Sequence, residues 1–452
     1  MAQQAKYQGW MAAGIFNGLQ KLSVPVFGIV TTMILAKHTL TKQEMGVWAL
    51  FLIITSFVEL IRQGLVKTSM IKFMNHSESS EHKFILSAAL FLNAMITLLL
   101  IILMIVTGHY FSVLLQAPEL EPMLYIYFVG MLLLIPFSHF EWIMYTKSQF
   151  KSLFWLFFIR QGSTLLMLMI FMLVNYKISL SFLVMIYSAG ILLGTIAGYR
   201  YVRHHFTNTF VLTMHWIKEM WHFGKYVFGT GISTIVFSNA SQMMLSPILG
   251  STAFTASQNI ASRVINLTDM PSQVLSDLIF PQTAKKENAE NKERVKYYYE
   301  KTVGATLCFN IPMVLFIILF PKFIILVLAD KQYLDAVPYL QLASLTGLFL
   351  AFLKQWGVII DSIGRPGLNF LMISILALVH VVLAFFCITY FGFMGCAYAL
   401  LLTHLIGFIL TQYLLNKIYA ISFINCFKQA FRFYPEIYRL LIDKFFIKWK
   451  TR

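Results

Sequence analysis

Charge, and acid in particular, is what this chain has least of. Of 452 residues only 12% are charged, against 58% hydrophobic, and Asp plus Glu number 19 against 35 Lys plus Arg. A surface so poor in charge does not solvate a globular domain, so the composition excludes a soluble enzyme and implies a polytopic membrane protein. Cysteine is scarce too: Cys308, Cys387, Cys396 and Cys426 have no short metal-ligand spacing and read as small hydrophobes in or beside apolar runs. No G-x-x-x-x-G-K-[ST] phosphate loop occurs, and no segment between spans has room for a nucleotide-binding domain, so ATP-driven transport by this chain alone is not expected. The histidines form no metal motif, and the pair His204 and His205 reads as a solvated loop. The opening residues MAQQAKYQGW lack an apolar h-region and cleavage site, so the first hydrophobic segment is expected to remain as a span.

What is present is hydrocarbon in lengths that cross a bilayer, which takes about 20 apolar residues as a helix. Twelve segments qualify, at about 11–34, 46–68, 84–107, 122–145, 152–174, 179–199, 226–248, 253–280, 303–328, 334–360, 368–390 and 393–415; polar residues interrupt the second, eighth and tenth. With the N-terminus inside, only Lys37, Lys42, Lys177, Lys322 and Lys331 fall in outside loops, while most other basic residues lie in inside loops. That asymmetry orients an even number of spans with both termini in the cytoplasm. The long inside stretch at 200–225 is the expected junction of two related halves, each opening on a polar helix pair. The expected organisation is a six-helix bundle at 1–210, a second at 211–416 and a cytoplasmic amphipathic tail at 417–452. In that tail, Phe, Ile, Leu and Trp alternate with Lys428, Arg432, Arg439, Lys444 and Lys448, a pattern suited to anionic membrane lipids.

Five cations interrupt the apolar runs: Lys21, Arg62, Arg160, Arg263 and Lys354. A charge inside a span needs a counter-charge, water or a function. Asn17 and Lys21 share a helix face with Gln20 beside them; Glu59, Arg62, Gln63 and Lys67 follow on the second span. There Glu59 is expected to pair with Arg62 or Gln63, and Lys67 to snorkel to the interface. Asn239 and Gln242 lie mid-way along the seventh span. On the eighth, Asn259, Arg263, Asn266, Met270 and Gln273 recur at helical spacing, with Asp269 or Asp277 as local counter-charges and Pro271 as a break. Lys354 and Gln355 interrupt the tenth, and Glu141 on the fourth is a partner for one of the cations. Asn93 reads as an interhelical hydrogen-bonding residue, and Gly190 with Gly194 as a packing face. Arg160 has no clear polar face beside it.

The run LAKHTLTKQEMGVWAL at 35–50, with Gly46 and Trp48, the looser second copy SPILGSTAFTASQNIASRV at 246–264, with Ala253 and Thr255, and LIFPQTAKK at 278–286 resemble bacterial polysaccharide-repeat flippases of the Wzx type. These belong to the multidrug/oligosaccharidyl-lipid/polysaccharide exporter superfamily. The resemblance implies an all-α fold of twelve transmembrane helices in two six-helix bundles forming an exporter-like V in the bacterial cytoplasmic membrane. It also implies a polyprenyl-pyrophosphate-linked oligosaccharide as cargo, moved by alternating access for O-antigen or capsule assembly alongside polysaccharide polymerase machinery. No catalytic residues, cofactor or metal are expected. Under that reading Lys21, Arg62, Arg263 and Lys354 attract the pyrophosphate, and Asn17, Asn239, Gln242 and Asn259 line the cavity. Glu59, Glu141 and Asp269 are the candidates for proton or sodium coupling. An ion-coupled multidrug antiporter and a non-transporting scaffold of the polysaccharide machinery are the alternatives.

Overall fold

The computed structural model describes residues 2–205, 210–283, 287 and 291–435; the side chains of Asn17, Lys21 and Asp277 lie outside the described residues. Helices and their connections account for all of them, with no strand among the described residues. A continuous backbone in hydrocarbon must satisfy its own hydrogen bonds, and the helix does so within one segment.

The first six spans are α1 (Ala2–Ile34), α2 (Lys42–Arg62), α4 (His82–Leu114), α5 (Leu120–Thr146), α6 (Phe150–Leu173) and α7 (Leu180–Val202). Helix α2 continues through a π turn at Gln63–Lys67 into α3 (Thr68–His76), and a second π turn, Leu35–Thr39, ends α1. The sequence TKQE sets the start of α2 as a capping box: Glu44 N donates to Thr41 Oγ1 at 3.3 Å, and Thr41 N donates back to Glu44 Oε2 at 2.8 Å.

The later spans are α8 (Met214–Leu249), then α9 (Thr252–Ile265) joined to α10 (Met270–Thr283) by a 3₁₀ turn at Asn266–Asp269. Pro271 falls in the first turn of α10, where its missing N–H costs nothing, so the break expected there is a change of helix type. The ninth span is α11 (Lys292–Leu319). It ends earlier than the expected 303–328 because Pro321 starts a separate short helix, α12 (Pro321–Leu328). The tenth is a pair, α13 (Ala336–Ser344) and α14 (Thr346–Ser362), bent by 45°. Helices α15 (Pro366–Phe391) and α16 (Gly395–Tyr419) complete the twelve, and residues 423–435 form α17.

Eight helical runs among the described residues are long and apolar enough to cross a membrane, nine with the bent pair. One of the eight, Pro366–Tyr419, holds both α15 and α16, which pack on each other across the turn at Gly392–Met394. Helix α8 is not among these runs, nor are α9 and α10, which at 14 residues each are too short to be counted singly, although they occupy the seventh and eighth places in the expected order.

Contacts divide the chain into two compact units: residues 1–257 with 327–331, and residues 258–326 with 332–452. In the first, α7 packs on α5 and α6, α1 on α6, and α8 on α2 and its π turn. Two approaches there leave no room for a side chain. A Cβ on Gly46 would meet the Thr252 carbonyl, and one on Gly224 would meet the Leu65 carbonyl in the π turn. Thr252 Oγ1 also donates to Gln43 O at 3.0 Å. The two motif copies therefore touch where their helices begin, the first turn of α2 against the first residue of α9. In the second unit α15 packs on α16, α14 on α11 and α16, and α10 on α11 and α14. All four cysteines are buried and none is in a disulfide.

Candidate functional site

The first unit holds one buried arginine on neutral acceptors and two charge pairs. Arg62, only 1% exposed, donates from Nε to Asn93 Oδ1 at 2.9 Å and from Nη2 to Leu134 O at 2.7 Å and Ser138 Oγ at 3.1 Å. Asn93 Nδ2 donates on to Ile135 O at 3.0 Å, so this asparagine does bridge helices. The partner expected for Glu59 is not the one found. Arg160 Nη2 reaches Glu59 Oε1 at 3.0 Å and Tyr187 OH at 3.1 Å, with its guanidinium 4.9 Å from the Phe137 ring centre. Glycines at 190 and 194 let α7 approach α6 closely enough to cover that arginine. A polar face for Arg160 is thus assembled from other helices, which spacing along its own helix does not reveal.

Lys67 does not snorkel. Its Nζ meets Glu141 Oε1 at 2.8 Å and lies 4.1 Å from the Tyr145 ring centre. The carboxylate is enclosed in α5, and a carboxylate in hydrocarbon draws the nearest cation inward. Asn239 Nδ2 donates within its own helix to Ile235 O at 3.1 Å, and Gln242 Nε2 to Thr255 O at 3.4 Å. The Asn17 and Lys21 side chains fall outside the described residues.

The second unit holds a different arrangement. Lys354 Nζ meets Asp269 Oδ2 at 3.1 Å, and the same oxygen accepts from Gln273 Nε2 at 3.0 Å. Asp269, expected as a counter-charge for Arg263, therefore serves Lys354. Among the described residues nothing pairs with Arg263: its Nε is buried without a hydrogen-bond partner, as is Oδ1 of Asn259, four residues earlier on the same face of α9. A donor and an acceptor are thus left open one turn apart, just before the 3₁₀ break at Asn266–Asp269. Gln355, beside Lys354, instead bonds protein: its Nε2 donates to Ser276 Oγ at 3.3 Å.

Among the described residues no group of three or more His, Cys, Asp or Glu side chains forms a metal site. Each of the three carboxylates picked out for ion coupling has a lysine or arginine partner: Glu59 with Arg160, Glu141 with Lys67, Asp269 with Lys354. Spacing also overlooked the histidines His380 and His404, which are buried in α15 and α16, where His380 Nδ1 lies 3.1 Å from Thr403 Oγ1.

Twelve helical segments with broken polar helices make a multi-pass membrane fold, and solved structures share it. An inward-facing multidrug resistance MATE family transporter of the MOP superfamily superposes with TM-score 0.77 at 12% identity, over 88% of this chain and 98% of that one. The lipid II flippase MurJ in an inward closed conformation gives 0.72 at 14% identity, over 95% and 93%. A MOP superfamily transporter from Pyrococcus furiosus, for which reverse polarity of the binding pocket suggests a different function, gives 0.64 at 12%, over 89% and 94%. The chain belongs to the polysaccharide biosynthesis protein family, whose model matches residues 34–338. It is also 24% identical over 209 residues to the uncharacterized membrane protein MJ1068 of Methanocaldococcus jannaschii. That match spans 46% of this chain and 41% of the relative's length.

Proposed function

We propose that this transporter is a flippase that carries a polyprenyl-pyrophosphate-linked oligosaccharide across the cytoplasmic membrane by alternating access, for surface polysaccharide assembly. The observation that carries the reading is the open pair Arg263 and Asn259. An arginine with an unbonded N–H is a ready ligand for phosphate oxygens, and an amide oxygen one turn away suits a sugar hydroxyl. Lys354, whose side chain is 45% exposed beside Asp269, adds a second positive charge in the same unit. Family membership supports a polysaccharide precursor over a drug.

Lys21, Asn17, Asn239 and Gln242 are proposed as further cargo contacts. Arg62 joins them only by leaving Asn93, Leu134 and Ser138. The carboxylates Glu59, Glu141 and Asp269 already balance tethered cations, which supports a structural role for them ahead of sodium coupling. Both termini are proposed to lie in the cytoplasm, a reading that the distribution of basic residues along the sequence supports.

Reconstitution tests the proposal. Proteoliposomes carrying the wild-type chain are expected to translocate a polyprenyl-pyrophosphate oligosaccharide, with Arg263→Gln reducing the rate at least about tenfold, the loss of one charge-assisted hydrogen bond. Translocation of organic cations with no effect of the lipid-linked sugar would assign the chain to the antiporters instead.

A further inference from the structure

Helix α17 follows α16 after three residues and docks along α11 in parallel register. Ser422 N and Asn425 Nδ2 donate to Glu300 Oε1 at 3.2 and 3.3 Å, the Cα of Gly304 faces the backbone of Cys426 and Ala430, and Tyr434 OH donates to Cys308 O at 2.8 Å. Hydropathy starts the corresponding span near residue 303. Lys428, level with Gly304, therefore sits where hydrocarbon gives way to headgroups.

The docked helix leaves Phe423, Ile424, Phe431 and Tyr434 exposed, interleaved with exposed Lys428 and Arg432. Such alternation suits neither bulk water nor pure hydrocarbon, and it is the composition of an interfacial helix. Lys428 and Arg432 lie one turn apart and, with Glu300, Asn425, Gln429 and Phe431, line a groove of about 560 Å³. The Glu300 oxygen nearest the helix already accepts two hydrogen bonds, so the two cations dominate the groove's outer rim.

We propose that this groove holds the headgroup of an anionic phospholipid drawn from the bilayer the chain spans. Lys428 and Arg432 bind its phosphate, reaching it from the helix by the length of their own stems, and the acyl chains lie along Phe431 and Tyr434. Position, charge and apolar flank each match that occupant: the depth is that of phosphate, the sign is opposite, and the neighbours are hydrocarbon-compatible. Transport through Arg263 is not required for it.

The test is native mass spectrometry of the full chain in mild detergent, titrated with phosphatidylglycerol or phosphatidylcholine. Phosphatidylglycerol is expected to be retained in preference. Lys428→Gln and Arg432→Gln each weaken retention about fivefold and the pair about thirtyfold, while Lys322→Gln, in the short helix α12, changes nothing. Equal retention of the two lipids by the wild type, or undiminished retention by the double variant, overturns the proposal. Displacement of phosphatidylglycerol by a polyprenyl-pyrophosphate sugar at lower concentration also overturns it, since the groove would then serve the cargo. Alkylation of buried Cys426 reports whether α17 stays docked. If it does not in the double variant, the singly substituted chains decide by the same fivefold criterion.

Discussion

Lys67 and Arg62 lie five residues apart yet both reach α5, Lys67 at Glu141 and Arg62 at Ser138. On an α-helix five residues leave two side chains about 140° apart, so one of them would face away. The π turn at Gln63–Lys67 brings position i+5 back beneath position i, and both cations then meet acceptors three residues apart on one face of α5. Removing Lys67 leaves the Glu141 carboxylate unpaired in a buried site, so Lys67→Gln is expected to destabilise the chain by about 3 kcal/mol. Lys67→Gln/Glu141→Gln should recover most of that loss in thermal unfolding, and no recovery would show that the pair is not coupled.

Two other pairs differ in burial and should differ in consequence. In Glu59 with Arg160 the arginine side chain is 7% exposed, whereas in Asp269 with Lys354 the lysine is 45% exposed. Arg160→Gln is therefore expected to cost about 3 to 5 kcal/mol, and Lys354→Gln no more than about 1 kcal/mol. The ranking reverses for translocation per folded molecule, where Lys354→Gln should be the more damaging. Melting curves and flux measured on the same preparations check both halves.

The contact at Gly46 makes a sharp steric prediction. A methyl group there would overlap the Thr252 carbonyl, while Gly18 has nothing within 4 Å. Gly46→Ala is expected to lower yield and melting temperature or to shift the helices it joins, and Gly18→Ala to be tolerated. Indistinguishable melting of the two variants would contradict the packing described.

The helices were legible in the sequence because apolar length is a strong and local signal. Even α8 and α9 with α10 were recoverable, because their amphipathic patterns extend far enough to span. Pairing was not legible in the same way. Glu59 and Arg160 are separated by 101 positions, and nothing in either segment points to the other; local spacing suggested Arg62 instead. The π turns carry no composition signature, so Lys67 read as an interfacial lysine. Asn93 was readable because a lone amide in a span has few options. Arg263 was singled out by its own periodic face, and the open Asn259 beside it lies on that face.

Docking of α17 predicts protection of a thiol. Cys426 is fully buried against α11 and contacts its own helix through Ser422 O at 3.7 Å. Maleimide should label it only after unfolding, and Gly304→Leu, which fills the groove between the two helices, should make it reactive in the folded chain. Rapid labelling of the wild type would contradict the docking.

In the proposed function Arg263 is kept for a ligand and not for the fold. A half-buried cation with no partner among the described residues destabilises its surroundings, so replacing it with an apolar side chain of similar length should leave stability unchanged or raise it by about 1 to 4 kcal/mol. The decisive measurement is thermal unfolding of Arg263→Met against wild type, with and without a polyprenyl-pyrophosphate oligosaccharide. An equal or higher midpoint is expected for the variant alone, and stabilisation by the ligand in the wild type only. A lower midpoint with ligand stabilisation intact would show that Arg263 holds the helices together and that the anion binds elsewhere.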